Sequence, residues 1–180
     1  MCYSNFMIEL LILYVLLKRD YTMYAIQKRI LDIFAPFTNP SFGALKPALR
    51  RLEEKECISS RKMMSDGGKL SVYYEISKNG LNELKVLLLE EFSDNPLQFL
   101  SNARVKLCCA DCLNSDERVR LFFAVKSRAM QFKTFTQNIL NDEYNKINFY
   151  QKIVLDNALC EYSNLITLVE GLEKDNARNS

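Results

Sequence analysis

The sequence of 180 residues contains no histidine, and it is poor in glycine and proline, with 5 and 4 residues. Histidine is the commonest general base and the usual nitrogen ligand of zinc, so its absence removes Ser-His and Cys-His nucleophiles. Between residues 97 and 170 there is neither glycine nor proline, which favours uninterrupted helices in that part of the chain. We therefore expect a helical protein that is not an enzyme and that holds no cofactor or metal.

The chain also lacks an apolar run long enough to cross a bilayer. The apolar segment over residues 6–17 is interrupted by Glu9, and residues 1–5 carry no positive charge of the kind that opens a secretory leader. We expect a cytoplasmic protein with no membrane partner. In a reducing compartment its six cysteines are not expected to form a disulfide framework.

Three of these cysteines lie close together, at Cys108, Cys109 and Cys112. Neighbouring thiolates can share a zinc ion or sense oxidation. A zinc site normally needs a second ligand pair, and the rest of the sequence offers three scattered cysteines and no histidine. We interpret the cluster as buried cysteines near a helix end, with a redox role as the alternative.

The length and an apolar content of 48% indicate a globular chain with one domain or two small ones. Positive charge is concentrated in the first part: residues 1–76 contain 11 Lys and Arg against 8 Asp and Glu, whereas residues 77–180 contain 13 against 14. This bias is modest, but it favours a polyanionic partner for the first part.

Two helices are predicted before residue 35. Apolar residues recur at helical spacing from Ile8 to Val15, which predicts a helix ending near Lys18. A second helix is predicted over Tyr24–Phe34, capped by Asp20 or Thr22.

A third helix, Gly43–Glu54, has two distinct faces. Its leucines and Ala48 fall on one face at 100° per residue, while Lys46 and Arg50 fall on another. Pro47 lacks an N–H, so we place it in the first turn, where that donor is not needed. One face of this helix can pack while the other reads a groove of DNA.

A short basic hairpin follows the third helix. Residues 59–63 and 71–76 are strand candidates, joined by Ser-Asp-Gly-Gly at 65–68. Three helices followed by such a hairpin are typical of a winged helix-turn-helix domain.

The rest of the chain is predicted to be all helical. Ser77 caps a helix that runs to about Phe92, Asn95-Pro96 opens another, and residues 114–117 cap the first of two long helices. Apolar residues in these two helices are spaced by three and four, as in an antiparallel helix-helix seam. We predict that this seam dimerises the protein through Phe122, Val125, Phe132, Leu155, Tyr162, Leu165, Val169 and Leu172.

Several of these segments together resemble the PadR-like transcriptional regulators, in particular the longer members with an extended C-terminal helical domain. The string from Ser41 to Glu53, Ser-Phe-Gly-Ala-Leu-Lys-Pro-Ala-Leu-Arg-Arg-Leu-Glu, is similar to the family signature Ser-Pro-Gly-Ser-Leu-Tyr-Pro-Ala-Leu-Arg-Arg-Leu-Glu. Tyr24 is similar to the tyrosine that begins the family's second helix. The segments 66–68 and 73–80 resemble its wing turn and returning strand.

The departures from the family pattern fall mainly at exposed positions. Lys46 replaces the signature tyrosine, Phe42 replaces its second-position proline, and Cys57 stands where a glycine commonly closes the third helix. The resemblance therefore implies the fold but not the target DNA sequence. Members of the family are typically dimeric repressors, and some release DNA on binding phenolic or other aromatic compounds.

We accordingly expect a mainly α protein with a small β-hairpin. Residues 5–80 would form a winged-helix DNA-binding domain, and residues 81–176 an antiparallel helical dimerisation domain. As the resemblance implies, the protein would bind an inverted-repeat operator in double-stranded DNA as a homodimer, most simply as a repressor, with a small aromatic ligand as the candidate effector. The alternative is a winged-helix module that binds an acidic protein and no specific DNA.

A pair of exposed cations does not by itself indicate DNA binding, because such pairs occur on most helices. DNA contact is favoured here because the pair lies on a third helix that a basic hairpin follows. We assign the wing residues to the DNA backbone or minor groove and the third-helix residues to base edges or phosphates. The Tyr24 hydroxyl is expected to donate to a phosphate, and the alternative is an amphipathic residue at the edge of the core. The predicted DNA-binding residues are Tyr24, Ser41, Lys46, Arg50, Arg61, Lys62 and Lys69.

Overall fold

The computed structural model describes residues 3–64, 68 and 70–178, with side chains described from Phe6. The chain divides into two compact units: unit 1 is Met1–Ser93 with Leu97–Cys112, and unit 2 is Asp94–Pro96 with Leu113–Ser180. The fold is mainly helical with one small sheet, which confirms the predicted class. Unit 1 extends well past residue 80, so the first two helices after the hairpin belong to the same compact unit as the winged helix.

Unit 1 contains a helix-rich winged fold followed by two further helices. Its elements in chain order are α1 (Tyr3–Leu16), β1 (Tyr21–Thr22), α2 (Met23–Phe34), α3 (Phe42–Glu54), β2 (Ile58–Met64), β3 (Leu70–Ile76), α4 (Lys78–Leu89), α5 (Pro96–Cys108) and a turn of 3₁₀ helix (Ala110–Cys112).

The core of unit 1 surrounds α1. This helix packs against α2, α3, α4 and β3, and its residues from Leu10 to Leu13 are at most 1% exposed. Burying each such side chain contributes about 1.5–3 kcal/mol. A helix that is apolar on all sides is stable only when it is enclosed, so α1 is the element around which the others are arranged.

Local capping sets the start of α2 and α4. The side chain of Thr22 accepts the Ala25 N–H at 3.3 Å, and that of Ser77 accepts the Gly80 N–H at 3.1 Å. Thr22 rather than Asp20 is therefore the cap of α2. These caps supply an acceptor to the first-turn N–H groups, which have no partner inside a helix.

The prediction that Pro47 lies in the first turn of the third helix is wrong. Helix α3 begins at Phe42, because the Ser41 side chain accepts the Ala44 N–H at 3.3 Å, and Pro47 lies inside the helix. The Ser41 cap, and not Pro47, determines where the helix begins. A proline in the second turn removes one hydrogen bond, whereas an uncapped start leaves several N–H donors without a partner.

The predicted hairpin is confirmed, and the sheet contains one more strand than predicted. Strands β2 and β3 pair antiparallel from Ile58 opposite Ile76 to Met64 opposite Leu70, and β1 adds to the other side of β3. Two residues carry no periodic pattern, so β1 could not be found from the sequence. Gly68 has a φ of 73°, which glycine adopts without strain, while residues 65–67 and 69 lie outside the described part of the chain.

Unit 2 is a hairpin of two long helices, α6 (Ser115–Asn141) and α7 (Phe149–Arg178), packed against each other. The predicted cap is confirmed as a reciprocal capping box between Asn114 and Glu117. None of the helices in the described residues combines the length and the apolarity needed to span a bilayer.

Candidate nucleic-acid interface

Helix α3 separates a buried face from an exposed row. Leu45, Ala48, Leu49 and Leu52 are at most 2% exposed. The exposed row consists of Phe42, Lys46 and Arg50, which follow one another every four residues and so lie along one side of the helix. We call these three residues the α3 row.

A buried carboxylate fixes the orientation of α3. Glu9 on α1 is 2% exposed, and it accepts hydrogen bonds from Arg51 Nε at 2.6 Å and Lys55 Nζ at 3.1 Å. Lys55 also reaches Glu83 on α4 at 3.1 Å. A buried acid is retained only when it is paired, so this cluster holds one side of α3 against α1 and α4 while the α3 row faces solvent.

The end of α3 is closed by a Schellman motif. The Cys57 N–H donates to the Leu52 carbonyl at 2.8 Å, and the Glu56 N–H donates to the Glu53 carbonyl at 2.9 Å. The left-handed residue of the motif is Glu56, with a φ of 54°. The role that glycine usually has at such a turn therefore falls on Glu56 here, and not on Cys57.

The two predicted cations of α3 are both exposed. Arg50 pairs with Glu54 at 2.8 Å, and its side chain is 81% exposed. Among the described residues, no carboxylate lies within ion-pair distance of Lys46. Since an exposed pair contributes at most about 1 kcal/mol, both cations are free to move to a phosphate or a base edge.

The hairpin presents its cations to solvent in the same way. Arg61 and Lys62 are adjacent in β2, so they point to opposite faces of the ribbon, and both are exposed. Arg61 forms an ion pair with Asp20. Lys69 lies outside the described residues.

The remaining predicted contacts, Ser41 and Tyr24, lie at the start of α3 and α2. Ser41 is exposed, but its hydroxyl oxygen already accepts the helix N–H described above. Tyr24 is 69% exposed, so it is a surface residue and not part of the core edge. Its ring stacks on that of Phe42, with centroids 6.2 Å apart and an angle of 15° between the planes.

Sequence reasoning missed two features of this surface. In the Glu9 cluster, Arg51 is 42 positions and Lys55 is 46 positions along the chain from Glu9. No local pattern operates at such a separation, although an acid inside an apolar run indicates that it needs a partner. In the sequence, Phe42 stands out only as a departure from the family pattern. Its place in the α3 row comes from the earlier start of the helix.

The predicted dimerisation residues lie mostly inside unit 2. Phe122, Val125, Tyr162, Leu165 and Val169 are at most 5% exposed, because α6 and α7 of the same protomer pack on them, and Phe132 stacks on Tyr162 with centroids 5.7 Å apart. Phe132, Leu155 and Leu172 are partly exposed. A role between protomers stays a prediction for these eight residues, and the five buried ones leave little surface for it.

A different row of apolar residues on α6 is open to solvent. Val119, Phe123 and Met130 are 54%, 69% and 52% exposed. Their spacing of four and seven places them along one side of the helix. We call these three residues the α6 row.

The cysteine cluster is at the end of α5 and in the 3₁₀ turn of unit 1. Cys109 is buried and Cys112 is half-buried. Burial raises the pKa of the Cys109 thiol, and burial with the nearby Asp111 carboxylate raises the pKa of Cys112 to about 12. Both thiols stay protonated at neutral pH, which disfavours the thiolate that redox and metal chemistry need. Among the described residues, no three Cys, Asp or Glu side chains are placed together so that they could hold a metal ion.

Aromatic residues of the second half of the chain are divided between the two units. Phe92 and Phe99 pack edge to face inside unit 1, with centroids 5.3 Å apart. In unit 2, an open cleft of about 590 Å³ lies beside the turn between α6 and α7. Its lining includes the apolar residues Ile139 and Val154 together with Lys146 and Tyr150.

Comparison with known proteins places the winged helix in one family. Residues 12–86 match the sequence model described as the transcriptional regulator PadR-like family. No curated protein matches the chain. Among solved structures, a PadR family transcription regulator from Clostridium difficile is 30% identical, with 44% of this chain and 80% of that chain covered and a TM-score of 0.39.

Two longer solved structures are also similar to the chain. Bacillus subtilis PadR in complex with operator DNA is 18% identical, with 93% of this chain and 98% of that chain covered and a TM-score of 0.42. A PadR-like transcriptional regulator from Bacillus cereus is 17% identical, with 96% and 99% covered and a TM-score of 0.42.

Proposed function

From the premise that the chain belongs, through residues 12–86, to the PadR-like family of transcriptional regulators, we propose that it binds a specific sequence of double-stranded DNA in the cytoplasm. The observation that carries the proposal is the α3 row. A helix held rigidly by its buried face presents Lys46 and Arg50 to solvent, and the major groove is wide enough to admit such a helix.

In this proposal α3 is the recognition helix and the hairpin is the wing. Arg50 and Lys46 contact base edges or phosphates in the major groove, and Arg61 and Lys62 contact the backbone beside it. The exposed positions of all four cations support these roles, because phosphate contacts supply much of the affinity while base contacts supply the specificity. Lys69 keeps its predicted role in the wing.

The proposed active form is a homodimer joined through unit 2. A hairpin of two helices leaves apolar surface uncovered, and the α6 row supplies part of it. A second copy fits this surface better than an acidic partner because the row is apolar. Two-fold symmetry would place two α3 helices on an inverted repeat, with half-sites one or two DNA turns apart, about 34 Å per turn.

Binding at such an operator would repress transcription by blocking access of RNA polymerase. The candidate effector is a small aromatic acid in the cleft beside the α6–α7 turn, where Tyr150 offers a ring to stack on and Lys146 a charge for the carboxylate. A thermal-shift screen of aromatic acids tests this part, with Tyr150→Ala as the control. Equal or absent shifts for both proteins would remove the cleft from the proposal.

The proposal as a whole is tested by selecting random double-stranded DNA with the purified full-length protein. We expect enrichment of a two-fold symmetric sequence. Arg50→Ala should weaken binding to it by roughly 1–3 kcal/mol, while Lys152→Ala, which removes an exposed cation of α7, should leave the affinity unchanged. Failure to enrich any sequence, with weak and salt-sensitive binding throughout, would favour the alternative of a protein-interaction module.

A further inference from the structure

The stacked rings of Tyr24 and Phe42 are an exposed apolar feature at the N-terminal end of α3. Phe42 is 41% exposed and Tyr24 is 69% exposed, so the core does not account for either ring. The two rings lie nearly parallel, at 15°. Each restricts the other, which reduces the conformational entropy that would be lost when a ligand is bound.

The position of Phe42 in the helix decides what it can meet. Phe42 is the first residue of α3, and the N-terminal residues of a recognition helix are those that contact base edges. A phenylalanine has neither a hydrogen-bond donor nor an acceptor, so it cannot read the polar pattern of the groove. The apolar group that a base pair presents in the major groove is the C5-methyl group of thymine.

The charges along the α3 row agree with this division of roles. Lys46 and Arg50 follow Phe42 on the same side of the helix, so cations are available for phosphates and polar base atoms one and two turns further along. At the start of the row, the stacked ring faces outward next to the capping residue Ser41. An apolar contact at the first turn and polar contacts beyond it form one continuous reading surface.

We propose that Phe42, supported by Tyr24, determines specificity by packing against the methyl group of a thymine in each half-site. The inference rests on the proposed function, since it assumes that α3 enters the major groove. It predicts that the selected sequence contains a thymine whose methyl group, rather than its hydrogen-bonding edge, is required.

Replacing single thymines by deoxyuridine tests this, because the change removes the methyl group and keeps every hydrogen-bonding group. Each thymine of the selected sequence is replaced in turn, and the affinity of the full-length protein is measured by fluorescence anisotropy. At one position we expect about fourfold weaker binding per half-site, and about fifteenfold when both half-sites are changed, as the loss of one buried methyl group predicts. Phe42→Ala should bind the thymine and deoxyuridine duplexes equally.

Lys46→Ala is the matched control from the same row: it should bind both duplexes more weakly but keep the fourfold difference between them. Circular dichroism verifies that each variant is folded, and the deoxyuridine series with the unchanged protein does not depend on any variant. A selected sequence that tolerates deoxyuridine at every thymine would overturn the inference, as would an undiminished penalty in Phe42→Ala. A change of oligomeric state in Phe42→Ala, with the methyl penalty retained, would assign the rings to contact between copies instead. These results differ from the absence of any selected sequence, which would overturn the proposed function itself.

Discussion

Helix α1 of unit 1 and helix α6 of unit 2 bury their apolar residues to very different extents. Around α1, helices and a strand lie on several sides, and even its one acid is 2% exposed and paired. Helix α6 packs on α7 and leaves Phe123 69% exposed. A helix with one partner buries one face. The difference teaches that the other elements of unit 1 enclose α1, whereas α6 of unit 2 keeps apolar residues at the surface.

The largest expected effect comes from placing a charge in the α6 row. Phe123→Glu removes about 1.5–3 kcal/mol of the association free energy that burial of this side chain supplies in each copy. Both copies of a two-fold symmetric dimer carry the change, so the loss is doubled. We expect the dissociation constant of the proposed dimer to rise by roughly 10²–10⁴-fold, measured by analytical ultracentrifugation over a range of protein concentrations.

Phe135→Glu is the control for this change, since Phe135 is 65% exposed on α6 but a third of a turn away from Phe123. It should leave the dimer intact. A dimer that survives Phe123→Glu and dissociates with Phe135→Glu would move the interface to another side of the hairpin. A wild-type protein that is monomeric at every concentration would contradict the proposal that the α6 row joins two copies.

The next effect is expected at the buried acid of unit 1. Glu9→Ala removes the two charge-assisted hydrogen bonds to Arg51 and Lys55, while Lys55 keeps its pair with Glu83. The loss of such hydrogen bonds costs about 1–3 kcal/mol. Hydrogen exchange measured by mass spectrometry should show faster exchange in α1 and α3. Glu54→Ala, which removes an exposed pair, should change the local stability by less than about 1 kcal/mol. Equal effects of the two variants would contradict the anchoring role of Glu9.

The space around one glycine in each unit shows the same difference in packing. A Cβ at Gly80 would lie 2.1 Å from the Cys57 carbonyl oxygen, whereas none of the neighbouring atoms lies within 4 Å of a Cβ at Gly171. Gly80→Ala should therefore destabilise unit 1 by about 1–3 kcal/mol. Gly171→Ala, inside α7, should stabilise unit 2 by up to about 1 kcal/mol. Urea unfolding followed by circular dichroism distinguishes the opposite signs, and the same sign for both would contradict the packing.

The last expected effect is a pH dependence of stability at Cys112 in unit 1. The pKa of Cys112 is raised from 9.0 to about 12, so the unfolded chain releases this proton at lower pH than the folded one. Its contribution to stability is complete below pH 9 and is lost as the pH rises towards 12. Thermal melts should show that Cys112→Ser loses less stability over this range than the wild type. Cys160→Ser, at an exposed position of α7, should behave as the wild type does.

Local chemistry made much of the fold predictable. The caps Ser77 and Asn114 and the buried face of α3 follow from short-range patterns, and the structure confirms them. The distinction between contacts within and between protomers could not be predicted in this way. A spacing of three and four residues identifies a helix seam, but Val125 on α6 and Leu165 on α7 have the same spacing whether the other helix of the same hairpin or a second copy covers them.

The candidate site was predictable in its cations and not in its geometry. Lys46 and Arg50 could be assigned to one side of a helix because the period of the helix is fixed. The ring of Phe42 joined that side only because the Ser41 cap starts α3 earlier than the proline suggested. The partners of Glu9 were beyond prediction because they come from elements far along the chain.

The central claim, that α3 reads a DNA sequence, is tested most directly by titrating the selected duplex and a scrambled duplex of equal length and composition with the full-length protein. Fluorescence anisotropy at two salt concentrations gives both affinities. We predict that the selected duplex binds at least about a thousandfold more tightly at physiological salt and that Arg50→Ala reduces this ratio. Equal, weak binding to both duplexes that disappears as salt is raised would contradict the claim.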